Sequence, residues 1–188
     1  MKKLMIVLAA IAMCFGAQSA QLIWSTSGTS SAKILGSDGA QMGTDTVAYL
    51  ILASQAESIV AGLTTSTKTL DGVAGVLDSH TGGFNAKGTF SSPSTEMADH
   101  ASITTSAQAY QVLLVEFDGK DGVATHYMLS GAKSASGSAD VIANPAKVTF
   151  GGASDFASSS WTAAVPEPTS GLLMLVGLGA LALRRRRA

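Results

Sequence analysis

Histidine, acidic and hydroxyl side chains are the groups in this chain that could act on a substrate, and their spacing selects none of them. His80, His100 and His126 are widely separated and have no cysteine nearby, so they lack metal-ligand spacing. Asp118-Gly119-Lys120-Asp121-Gly122 has the outline of a calcium loop. A lysine in its third place and a glycine in its fifth remove oxygen ligands, so the run reads as a hairpin turn. Asp99-His100 lies among serines, but there is no Gly-x-Ser-x-Gly elbow to present a nucleophile. Glu96 with Asp99, or Glu116 with Asp118, would suit paired carboxylates for glycoside hydrolysis only if each pair faced one cleft; a solvated face or a turn explains them more simply. Trp24, Tyr49, Tyr110, Tyr127 and Trp161 could stack on sugar rings, and core packing accounts for them equally well. No phosphate-cradling loop or dinucleotide fingerprint occurs. The expectation is no catalytic residue, no metal and no cofactor.

The elements that would position these groups are mainly strands. Gln111–Phe117 and Val123–Leu129 are β-prone runs on either side of the Gly/Asp loop, which predicts an antiparallel hairpin. The first run is apolar on both faces and so belongs in the middle of a sheet, as does Asp45–Ala53, around Thr46–Leu52. His126 shares a strand face with Ala124 and Met128, where a hydrogen-bonded structural histidine is expected. Ser54-Gln55-Ala56-Glu57 fits a capping box and predicts a short helix ending near Gly62, against a competing strand through Ser58–Ala61. Leu22–Trp24, Lys33–Leu35, Lys87–Phe90 and Lys147–Phe150 are weaker strand candidates. Gly82-Gly83, Ser91–Ser94 and Ser134–Ser138 read as loops. Residues 151–164 are rich in Gly, Ala and Ser and read as a tether, with Trp161 placed to rest at a membrane interface.

The two ends carry a different kind of information. Lys2 and Lys3 precede an aliphatic stretch, Leu4–Phe15, and then the small residues of Gly16–Ala20, the layout of a cleaved signal peptide over residues 1–20. Ala17, Ser19 and Ala20 form the cleavage region: cutting after Ser19 puts Ala17 at −3, and cutting after Ala20 puts Gln18 there. Cys14 offers a lipoprotein alternative, weakened by Met13 before it. A two-pass membrane protein is disfavoured by the short first run. With both ends set aside, residues 21–150 form the body of one domain, long enough for a real core. From Gln21 to Val165 there are six lysines, nine aspartates, three glutamates and no arginine. Such an acidic surface excludes the basic footprint that nucleic-acid binding needs. The only cysteine lies in the signal, so no disulfide staples the mature domain.

At the C-terminus, Val165-Pro166-Glu167-Pro168 leads into the uncharged run Gly171–Leu183 and then Arg184, Arg185, Arg186 and Arg187. As a helix this run is roughly 20 Å long, against a hydrocarbon core of about 30 Å. Residues 169 and 170 and snorkelling arginines extend it enough for a pinched bilayer. The arginines hold their end in the cytoplasm, which leaves the bulk of the chain outside. Pro166 and Pro168 keep Glu167 in a stiff, extended strip at the outer membrane face. On these residues alone, a plain C-terminal anchor and a processing signal are both open.

Those three parts, in that order and over residues 165–188, resemble the PEP-CTERM sorting signal of Gram-negative envelope proteins. The resemblance implies recognition by an exosortase, a membrane-embedded, transpeptidase-like cysteine enzyme, in bacteria that make exopolysaccharide, biofilm or floc. It implies an inner-membrane-anchored precursor handled by signal peptidase and the export machinery, then delivery to the envelope, outer surface or medium. The expected architecture is one antiparallel β-sandwich or jelly-roll-like domain with one short helix, between a signal helix and a transmembrane helix. A non-enzymatic structural or adhesive matrix protein, with exopolysaccharide as a possible partner, is the leading expectation. A carbohydrate-binding β-sandwich is the alternative, which exposed aromatics on one sheet face would mark, and a small secreted hydrolase is third.

Overall fold

The computed structural model describes residues 20–91, 93–140 and 142–166. The described residues form two sheets and one short helix. Strands β1 (Gln21–Ser27), β4 (Glu96–Asp99) and β8 (Lys147–Gly151) make a three-stranded sheet in the order β4-β1-β8. The larger sheet runs β3 (Val76–Thr81), β2 (Thr46–Leu52), β5 (Ala107–Phe117), β6 (Ala124–Leu129) and β9 (Thr162–Ala163). Strand β7 (Lys133–Ser136) pairs with the first part of β5. Most pairings are antiparallel, but β1 and β8 run parallel, so the small sheet is mixed where an all-antiparallel domain was expected.

The strands with the strongest apolar patterns sit where those patterns place them. β5 and β6 form the expected hairpin, with Leu113 opposite Leu129 and Val115 opposite Tyr127. β2 lies between β3 and β5, and its residues divide between two cores. Ala48 and Leu50 face the small sheet and pack with Leu22, Trp24, Val112, Leu114, Met128 and Phe150. Tyr49 and Ile51 point the other way, to Leu113, Val115, Leu63 and Leu70. That alternation is the period of a strand, and burial on both faces explains why neither face is polar. Helix α1 (Ala56–Ala61), reached through a 3-10 turn at Ala53–Gln55, covers the second core with Ala56 and Ile59. The helix therefore prevails over the strand reading of Ser58–Ala61. Its capping box does not form: the N-cap is Gln55, with no side-chain cap bond.

Other segments differ from the expectation. Lys33–Leu35 and Lys87–Phe90 are not strands. They are held as loops that clasp each other, the Ile34 amide donating to the Lys87 carbonyl at 3.0 Å. Ser134–Ser136, expected as loop, is part of β7. The stretch 151–164 does not hang free of the domain. Phe156 is buried in the first core, Trp161 packs against it, and β9 is an edge strand of the large sheet. Among the described residues no helix is long and apolar enough to cross a membrane; the expected signal helix and C-terminal apolar run lie outside them.

Candidate functional site

The segment with the clearest chemical signal enters the fold along the outer edge of β6. Thr162 and Ala163 pair with Tyr127 and His126, and the Ala164 amide donates to the Thr125 carbonyl at 2.8 Å. Ala164 is buried in the second core. The Thr65 amide donates to the Val165 carbonyl at 3.0 Å, across a parallel bridge between Thr64 and Val165. Upstream, the Trp161 ring N–H donates to the Leu35 carbonyl at 2.8 Å and the Ser159 hydroxyl to the Leu129 carbonyl at 2.5 Å. Small residues let this strand lie flat against β6. Pro166 ends it, because proline has no N–H with which to continue the ladder. Val165 is 57 % exposed and Pro166 is exposed. Of the predicted site residues, Glu167, Pro168, Arg184, Arg185, Arg186, Arg187, Ala17 and Ser19 lie outside the described residues. Ala20 is buried in the first core.

The groups considered for catalysis are not brought into one working arrangement. His80, on β3, is 2 % exposed, stacks on Phe90 with ring centroids 3.9 Å apart, and meets Phe84 edge-on. Its Nδ1 is 2.6 Å from Glu96 Oε1 on β4; the carboxylate can only accept, so Nδ1 carries the proton. A histidine–carboxylate pair is half of a general-base device. Here the other nitrogen, Nε2, is buried without a partner, so no reactant reaches it. The pair instead joins an edge strand of each sheet. His126, where a structural histidine was expected, is 41 % exposed, with Nδ1 4.0 Å from Glu116 Oε2. The packed histidine is His80.

His100 lines an open hollow of about 530 Å³ together with Asp71, Asp78, Ser79 and Ser102. Its Nδ1 accepts the Ser102 amide at 3.1 Å, which puts the proton on Nε2. A serine-hydrolase histidine needs the opposite tautomer, with Nδ1–H held by a carboxylate and Nε2 free to take the hydroxyl proton. Asp78 is engaged elsewhere, accepting the Trp24 ring N–H at 2.7 Å. Burial pushes its carboxyl above the usual range, and the Trp24 bond only partly offsets that.

The carboxylate pairs separate as well. Glu96 goes to His80, while Asp99 accepts Gln21 Nε2 at 2.9 Å, three residues further along the strand and on its opposite face. Glu116 accepts the Ser37 amide at 2.8 Å, and Asp118 accepts the Lys120 amide at 2.8 Å inside the hairpin turn. Among the described residues no group of three or more His, Cys, Asp or Glu side chains could hold a metal ion. Trp24, Tyr49 and Tyr110 are buried, and Tyr127 and Trp161 pack against the cores, so these five rings form no exposed stacking face. Burial raises the phenol pKa of both Tyr49 and Tyr110.

Sequence reasoning missed the His80–Glu96 pair. The two residues are joined only through the packing of two sheets, and neither short strand carries a sequence pattern that shows it. Comparison with known proteins supports the C-terminal segment. Residues 164–187 match the family model of the PEP-CTERM protein-sorting motif, which indicates an exosortase-targeted sorting signal. No curated protein and no solved structure matches the chain.

Proposed function

We propose that the chain is a non-enzymatic passenger: a β-sandwich domain exported across the cytoplasmic membrane, held as an anchored precursor, and handed by an exosortase-type enzyme to the cell envelope or its surroundings. There it acts as a structural or adhesive component among exopolysaccharide. The match of residues 164–187 to the sorting motif carries this reading. The burial of Trp24, Tyr49 and Tyr110 supports a structural role over sugar stacking. The unsuitable tautomer of His100 supports a non-catalytic one. At the other end, signal-peptidase cleavage after Ser19 keeps the buried Ala20 in the mature domain, whereas cleavage after Ala20 removes a core residue.

The test is cellular fractionation of the Pro166→Ala/Glu167→Ala variant beside wild type in the native host. The variant is expected to accumulate in the membrane fraction while wild type leaves it. Equal release of both would refute the sorting role. The matrix role is checked separately, by whether the released wild-type protein co-purifies with the host's exopolysaccharide.

A further inference from the structure

We infer that strand β9 is a latch: it withholds the start of the sorting motif from the processing enzyme until it peels from the domain. This rests on the exosortase role proposed above. The matched motif begins at Ala164, and its first two residues are built into the fold. The Ala164 amide is committed to the Thr125 carbonyl and the Val165 carbonyl to the Thr65 amide, while the Ala164 side chain is buried. An enzyme that reads an extended peptide makes main-chain hydrogen bonds to it. Backbone groups already paired with the sheet cannot make those bonds, so enzyme and domain compete for the same segment.

Reach adds to the competition. From Val165 to Gly171, where the apolar run starts, six residues span at most about 20 Å. A domain fastened at Val165 therefore sits close to the membrane, where a membrane-embedded enzyme must work. Releasing the chain back to Ser159, the next point held to a strand, adds another six residues and about 20 Å of free peptide. The latch is also built to open. β9 is two exposed residues at a sheet edge, and the exposed edge of a fold is among the first parts to open locally. Its firm points are Ala164, the Trp161 ring bond to Leu35 and the Val165 carbonyl.

The register supplies the test. The Ala164 amide bond to Thr125 marks those two as a hydrogen-bonded pair, so by alternation His126 and Ala163 form the neighbouring non-hydrogen-bonded pair. Such pairs have the closest Cα spacing, which suits a disulfide. Both positions are solvent-accessible, so the substitutions remove no core packing. The full-length His126→Cys/Ala163→Cys variant would be followed by pulse-chase in the native host, with precursor and processed forms resolved by mass. Each single-cysteine variant and Pro166→Ala/Glu167→Ala are run alongside.

Because processing tracks the fraction of open latch, the oxidised double variant is expected to convert at least about ten-fold more slowly than wild type. Adding dithiothreitol to the cells should restore the wild-type rate, and the single variants should process normally. Conversion of the oxidised form at the wild-type rate would overturn the latch, and so would failure of reductant to restore it. Normal processing of Pro166→Ala/Glu167→Ala in the same experiment would instead overturn the sorting reading. If that variant is blocked while the cross-linked chain is processed freely, only the latch fails.

Discussion

Glu96→Ala isolates the energetic role of the contact between the two sheets. His80 is 2 % exposed and Glu96 is 25 % exposed, so removing the carboxylate strands a buried donor. A buried hydrogen-bond donor left unsatisfied costs about 1–3 kcal/mol. For a domain of this size that is a Tm loss of about 3–10 °C. Glu96→Gln keeps an acceptor for Nδ1–H and should lose less. His80→Phe removes the donor and the orphaned Nε2 together, and keeps a ring against Phe90. In that background Glu96→Ala should cost under about 0.5 kcal/mol, the range of ordinary surface changes. The assay is urea unfolding of the purified mature protein, followed by tryptophan fluorescence. Trp24 is fully buried, lies edge-on to Phe90 at 5.0 Å and is paired with Glu96 in the sheet, so it reports on this corner. An equal loss from Glu96→Ala with and without His80 would refute the assigned interaction.

Two further predictions concern stability. Burial works to raise the Asp155 carboxyl, but the Gly151 amide at 2.6 Å, the Lys133 ammonium at 3.0 Å and the Ser154 hydroxyl at 2.9 Å outweigh it, so its pKa is lowered. A depressed carboxylate contributes stability that is present above the ordinary carboxyl pKa of about 4 and is lost as pH falls through the lower folded value. Asp155→Ala should therefore destabilise at pH 7 by about 1–3 kcal/mol and flatten the acid limb of a Tm–pH curve; an unchanged limb would contradict the assignment. Gly88 has φ +78°, and an added Cβ would lie 2.2 Å from the Ile34 carbonyl oxygen. Gly88→Ala should cost about 2 kcal/mol or more in denaturant titration, and a neutral result would mean that this loop is not held as described.

How much the sequence disclosed depended on where each element's stability comes from. The runs forming β2, β5 and β6 are apolar enough to declare themselves, because burial on one or both faces is written into their composition. β3 was not legible: Asp78, Ser79 and His80 interrupt any apolar pattern, and only Trp24 and Glu96, from the other sheet, make two of them welcome inside. β4 and β7 are four residues each, too short for any periodic signal. In residues 151–164 the Gly/Ala/Ser background concealed two anchors, Phe156 and Trp161, whose packing partners are distant in sequence. The sorting motif shows the opposite behaviour. Its order of parts is local and was readable at once, whereas its attachment through Thr65 and Thr125 required the fold.

The sorting role is decided by the intact mass of the wild-type protein recovered from its native host. The expected form has lost both the N-terminal signal and the C-terminal residues through Arg184–Arg187. A form that has lost the N-terminal signal but still ends in the arginine cluster would contradict that role: the C-terminal run would then be a plain anchor, and the inferred delivery to the matrix would fall with the sorting step.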